Sequence, residues 1–220
     1  QHVLTPLKGF ALHINAFNFP VWGMLEKLAV SLIAGVPAIV KPATSTAYLT
    51  EAAFRILIET GKVPPGALQL IVGATGDLMD HLTGQDVVSF TGSAATAARL
   101  KGHPAVIRES VRFISEQDSL HAAMLGPDAT ADAPEFALFV KEVVREMTVK
   151  AGQKCTAIRR ALVPAALLDK AEGAIAEALG KTTIGDPARE EVRMGALVSL
   201  GQRADVAEKV AALSREAKVA

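Results

Sequence analysis

The chain has 220 residues, half of them hydrophobic, with 23 basic and 23 acidic side chains and no formal net charge. That is ample apolar material for one large or two small soluble domains, and the balanced charge, without any lysine- or arginine-rich run, excludes nucleic acid as the main partner. One cysteine excludes an intrachain disulfide and a cysteine metal cluster, no apolar run reaches membrane-spanning length, and a cytoplasmic setting without metal is expected.

Short β-rich runs alternate with helical segments through the first half. Strands are expected at 10–15, 38–40, 68–72, 87–90 and 112–114. Helices are expected at about 23–34 and 46–60, from Asp77, and in the alanine-rich segment after Ser93. Strict alternation of this kind specifies a parallel sheet covered on both faces, with ligands at the carboxyl ends of its strands. A second unit is expected from Glu116, with boundaries 1–115 for the first domain and 116–220 for the second. It opens with the apolar run 122–125. An amphipathic helix over 135–149 follows, with Phe136, Phe139, Val140, Val143 and Met147 on one face and Lys141, Glu142, Arg145 and Glu146 on the other. Gly152 ends it, Cys155 lies in the next loop, and a strand at 161–163 and a helix at 167–179 come after. A start at Gln1 and an amphipathic pattern near 204–220 make a piece of a larger polypeptide the expectation.

The chemistry-bearing candidates collect at strand ends. Asn15-Ala-Phe-Asn-Phe-Pro20 closes the first strand, Lys41 the second, Phe90-Thr-Gly-Ser93 the fourth and Ser115-Glu-Gln-Asp118 the fifth. Each has an ordinary use: a capping amide, a solvated lysine, a serine-capped helix. Each also has a chemical one: an oxyanion donor, a ribose or phosphate contact, a close backbone approach at Gly92, a general base at Glu116. No Gly-x-Gly-x-x-Gly follows any strand, so an ordinary dinucleotide turn is absent. Cys155, flanked by Lys154 and Arg159, is either a small core hydrophobe or a thiol biased toward the thiolate.

Taken together, Asn18-Phe-Pro20, Lys41-Pro-Ala43, Phe90-Thr-Gly-Ser93, Glu116, Gly152-Gln-Lys-Cys-Thr-Ala157, Gly185-Asp-Pro187 and Met194-Gly-Ala-Leu-Val198 follow the order and rough spacing of the aldehyde dehydrogenase superfamily, which the chain resembles over nearly its whole length. The resemblance implies an α/β fold: a Rossmann-like parallel-sheet cofactor domain plus the first half of an α/β catalytic domain, truncated at both ends. It implies that Cys155 attacks an aldehyde, that the Asn18 amide and the Cys155 N–H hold the oxyanion, and that Glu116 activates the hydrolytic water. Lys27 aligns with a proton-relay lysine. Lys41 would contact the adenosine ribose and Ser93 the pyrophosphate, with Gly92 and Phe17 also at the cofactor. A homo-oligomeric whole protein is implied as well.

Two departures refine the expectation. Where the family usually has Glu-Leu-Gly-Gly-Lys, this chain reads Glu116-Gln-Asp-Ser-Leu-His121, and Glu116 lies 39 residues before Cys155, farther than usual. Both features resemble a branch that oxidises CoA-linked semialdehydes of aromatic catabolism. Phenylacetate degradation is expected ahead of benzoate degradation, with a hydratase-like domain following outside this sequence. Thr44 stands where NAD-preferring members commonly carry a glutamate, so NADP is expected, with NAD as second choice.

Overall fold

The structure, a computed structural model, describes residues 2–218, so Gln1 and the last two positions of the expected terminal helix lie outside the described residues. The chain divides into two compact units, one ending at Asp118 and the other beginning at Ser119.

In the first unit, five parallel strands stand in the order β3-β2-β1-β4-β5: β1 Ala11–Ile14, β2 Ala38–Lys41, β3 Leu68–Leu70, β4 Val87–Gly92 and β5 Arg112–Gln117. Helices α1 (Pro20–Ile33), α2 (Ala47–Glu59), α3 (Ala94–Lys101) and α4 (Pro104–Arg108) fill the connections. The period-two alternation of a strand divides the core. Leu12 and Ile14 pack with Val88, Phe90, Leu100 and Val106, whereas Ala11 packs with Met24, Leu28, Ala38 and Val40. The strand order reverses between β1 and β4, which places the ligand crevice of such a sheet beyond their carboxyl ends.

Local chemistry sets the boundaries. Pro20 begins α1, where its missing N–H is no loss. Gly35, at φ 72°, ends it, and Val36 N donates back to Ser31 O at 2.9 Å. Asp86, almost fully buried, accepts from Phe10 N at 2.8 Å and from Thr83 N at 2.7 Å, which fixes the start of β1 against the start of β4. The structure differs from the expected elements at several points. Strand β5 runs on to Gln117 because its backbone pairs with β4 through Gly92, whatever its polar side chains suggest. The short helix α4 was not expected, and the segment after Asp77 is a 3-10 turn over Leu78–His81.

In the second unit, β6 (Ala122–Met124) pairs in parallel with β7 (Arg160–Leu162). Helix α5 (Pro134–Thr148) buries Phe136, Phe139 and Val143 with Leu125 and with Ala171 of α6 (Leu168–Gly180). The last helix, α7, spans Leu200–Leu213, so it starts earlier than expected and ends before the described residues do.

One buried polar group in the first sheet has a measurable consequence. His13 lies on the α1 face of β1, is 1% exposed, and shares a 3.0 Å hydrogen bond between Nε2 and Ser31 Oγ. Among the described residues its Nδ1 has no partner, which suits the bare lone pair of a neutral ring. Burial, and secondarily the Lys27 charge, lower its pKa from 6.5 to about 4. Because the folded value is depressed, the unfolded chain takes up a proton that the folded chain refuses as pH falls from 6.5 to about 4. Stability is therefore expected to drop across that window by up to roughly 3 kcal/mol. Urea denaturation of wild type and His13→Leu as a function of pH checks this: the variant's curve should be flatter.

Candidate active site

In the first unit the polar side chains gather at the ends of β1, β4 and β5. Lys27, on α1, donates from Nζ to Asn15 Oδ1 at 3.0 Å and to Thr91 Oγ1 at 2.7 Å. Glu26 lies 3.9 Å from the same nitrogen. Burial lowers the Lys27 pKa, and the charges of Glu26 and Glu116 oppose that shift. Thr91 and Glu116 are direct register partners across β4 and β5. Lys27, Thr91 and Glu116 line one side of a cavity of about 440 Å³, which also reaches His13 and Ser31.

Beside this cluster, Lys41 ends β2 half-buried. Burial lowers its pKa, and among the described residues no acceptor pairs with its ammonium. Thr44 opens the 3-10 turn Thr44–Thr46 with an exposed side chain, and Thr46 Oγ1 donates to Phe17 O at 3.0 Å, which ties this turn to the loop after β1. Asn18 is half-buried in that loop, two residues before α1. Gly92 has no room for a side chain, since a Cβ there would lie 2.6 Å from the Phe90 ring. Ser93 caps α3: its Oγ accepts from Thr96 N at 3.3 Å and donates to Thr96 Oγ1 at 3.0 Å. Asp118 Oδ1 accepts from Ala94 N at 3.2 Å. Two of the first amides of α3 thus already have acceptors, and Ser93 meets a ligand through its hydroxyl.

The second unit holds Cys155 at the end of a strained loop. Lys150, Ala151 and Gly152 have φ of 53°, 52° and 69°, three left-handed residues in a row, two of them with a Cβ. Side chains brace this turn. Gln153 Nε2 donates to Lys150 O, and Gln153 Oε1 accepts from Val198 N, each at 2.9 Å. Gly185 N in turn donates to Met194 O at 3.1 Å, so the motifs around 153, 185 and 194–198 form one fastened group. Arg159 donates to Gly152 O and Lys154 O. Lys154 pairs with Glu146 at 2.7 Å, with only 9% and 15% of the two side chains exposed.

Of the two cations flanking Cys155 in sequence, Lys154 is engaged by Glu146 and Arg159 by backbone carbonyls. Lys150 carries a charge that interacts with Cys155. Burial and the Lys154 charge lower its pKa, and Cys155 opposes them. Cys155 itself is half-buried, and among the described residues its N–H has no acceptor.

Comparison with known proteins decides the family. Residues 2–220 match the aldehyde dehydrogenase family. The chain belongs to that family. It is 52% identical over 219 residues to 3,4-dehydroadipyl-CoA semialdehyde dehydrogenase of Aromatoleum evansii, covering all of this chain and 42% of that enzyme. It is 31% identical to the non-phosphorylating aspartate-semialdehyde dehydrogenase of Halomonas elongata, over 95% of this chain and 42% of that one. The crystal structure of betaine aldehyde dehydrogenase from Staphylococcus aureus in complex with NAD+ superposes with a TM-score of 0.85 at 26% identity, over 96% of this chain and 41% of that one. The chain thus spans about two fifths of the length of the aldehyde dehydrogenases it matches, and its parallel α/β fold is theirs.

Three partners of the site residues escaped the sequence reading: Asn15 and Thr91 beside Lys27, and Gln153 beside Cys155. Thr91 and Gln153 stood inside recognised motifs, and Asn15 opened one, so the signal was present without the pairing.

The ion pair beside the Cys155 loop gives a test. Removing Lys154 alone leaves the Glu146 carboxylate buried and unpaired, which costs about 3–5 kcal/mol. Lys154→Met should destabilise the whole protein by that amount in urea denaturation, and adding Glu146→Leu should recover most of the loss.

Proposed function

We propose that the whole protein oxidises a CoA-linked semialdehyde from aromatic ring cleavage to the carboxylic acid, with NADP as the preferred cofactor. The observation that carries this reading is the 52% identity, over the full chain, to an enzyme named for a CoA-linked semialdehyde. In the proposed sequence Cys155 Sγ attacks the aldehyde carbon, and the carbonyl oxygen, now an oxyanion, accepts from the Cys155 N–H and the Asn18 side-chain amide. The free N–H of Cys155 supports its part in this. Nicotinamide, when bound, supplies the hydride acceptor that turns the thiohemiacetal into a thioester. Glu116 then takes a proton from water, whose oxygen attacks the thioester carbon. The acid leaves and Cys155 is expelled as the thiolate that began the sequence. Lys27, already donating to Thr91, Glu116's register partner, relays the proton onward.

The residues present fit a dinucleotide. Lys41 is a half-buried cation lacking an acceptor among the described residues, which suits the ribose or its phosphate, and Ser93 offers a hydroxyl; Gly92 and Phe17 are assigned to the same cofactor. Thr44 supports NADP. A glutamate there would oppose the 2′-phosphate: one like-charge contact at about 4 Å is worth on the order of 4 kcal/mol before screening. Even a quarter of that is about fivefold in affinity.

The relative's name favours 3,4-dehydroadipyl-CoA semialdehyde as substrate, while Gly23-Met-Leu-Glu-Lys-Leu28 and Gly76-Asp-Leu-Met-Asp-His81 favour the phenylacetate counterpart. Turnover of the two semialdehydes by the whole protein separates them. In the same assay Cys155→Ala should lose dehydrogenase activity while binding cofactor normally, and Glu116→Gln should release about one equivalent of reduced cofactor and then stall. Full turnover by either variant overturns its assigned role.

Cofactor choice is checked separately. Steady-state comparison should give a higher kcat/KM with NADP than with NAD. Thr44→Glu should weaken NADP more than NAD, by about fivefold or more. A wild-type preference for NAD overturns the reading of Thr44.

A further inference from the structure

Glu116 stands on β5, the edge strand of the sheet, and it is exposed. Among the described residues no hydrogen bond holds its carboxylate. The direction of that side chain therefore depends on the backbone beneath it, and the end of an edge strand frays unless something fastens it. The Thr91–Glu116 and Gly92–Gln117 pairs fasten it from one side. Asp118 extends that fastening past the last ladder pair. Its N–H donates to Gly92 O at 3.2 Å, one step past the last ladder pair. Its Oδ1 accepts from Ala94 N at 3.2 Å. Its φ is 46°, a left-handed backbone that aspartate tolerates better than most residues with a Cβ. A glycine at this position would adopt the turn equally well but could not reach Ala94.

We infer that Asp118 is a positioning residue: by bridging the end of β5 to the Gly92–Ala94 turn, it fixes the strand end that carries Glu116. The inference rests on Glu116 being the base of the hydrolytic half-reaction. It gives the departure from Glu-Leu-Gly-Gly-Lys a physical purpose. The side-chain bond of Asp118 replaces conformational freedom with a brace between the base and the turn that begins α3.

Pre-steady-state and steady-state assays of the whole protein test it. Asp118→Gly keeps the backbone turn and removes the brace. It should retain a full burst of reduced cofactor, with steady-state kcat lowered about tenfold or more. KM for the cofactor should stay within about twofold of wild type, a split that general destabilisation would not produce. Asp118→Asn keeps the acceptor and the left-handed turn, and should recover to within about threefold of the wild-type rate. An Asp118→Gly enzyme turning over at the wild-type rate overturns the inference, as does an Asn variant no faster than the Gly variant. Glu116→Gln, measured alongside, separates the two readings. Normal turnover there overturns the base assignment, whereas a stalled Glu116→Gln beside a normal Asp118→Gly overturns the role of Asp118 alone.

Discussion

The ammonium of Lys27, held with a tenth of its side chain exposed over the ends of β1 and β4, is the constraint around which the first unit arranges its polar groups. Taking such a charge out of water costs several kcal/mol unless its protons find acceptors. Asn15 and Thr91 supply two, and Glu26 and Glu116 supply opposing charge. Each acceptor sits where the parallel strands end. Deeper in the same face, His13 meets the problem differently. With the Lys27 charge nearby and burial around it, the ring stays neutral and needs only Ser31. A charged residue at the rim and a neutral one inside is the order that a falling dielectric imposes.

The second unit solves another problem, that of holding a loop in a conformation its residues do not prefer. Consecutive left-handed residues with a Cβ cost on the order of 1 kcal/mol or more apiece. The loop at 150–152 persists because Gln153, Arg159 and the Lys154–Glu146 pair all pull on it from outside. Gln153 also accepts from Val198, so the chain some 45 residues later helps to hold the turn ahead of Cys155. That bond gives the Met194–Val198 segment a part in holding the cysteine loop.

The alternation of strands and helices was legible because a doubly covered parallel sheet demands short apolar strands, and β1 through β4 carry them plainly. The α5 helix was legible for a similar reason, since Phe136, Phe139 and Val143 recur at helical spacing and all three are buried. The tail of β5 was not legible: Ser115, Glu116 and Gln117 carry no strand pattern, and backbone pairing with β4 makes them a strand. Helix α4 is only five residues long, too short for any periodicity to appear. The partner of Lys154 was not legible, because proximity in sequence is not proximity in space. Lys154 lies next to the cysteine along the chain yet turns toward Glu146, one helix back. Asn15, Lys27 and Thr91 are brought together by the adjacency of β1 and β4, which motif order alone does not reveal.

Strain sits close to the residues of the proposed chemistry in both units. Four described residues other than glycine have left-handed φ: Ser110, Asp118, Lys150 and Ala151. Ser110 makes the turn between α4 and β5. The other three flank the two groups to which the proposed chemistry assigns bond-making and proton transfer, Asp118 two residues after Glu116 and the pair at 150–151 a few residues before Cys155. Backbone of this kind is retained only where surrounding bonds outweigh its cost, and here the bonds are identifiable: Ala94 N and Gly92 O at Asp118, Gln153 and Arg159 at the cysteine loop. A turn fixed in this way has one conformation rather than several, so the residue beside it is aimed before any ligand arrives. Aiming in advance removes the ordering cost from the reacting step, which is where a rate is gained. The strained positions thus mark where this fold spends stability, beside the residues proposed as base and nucleophile.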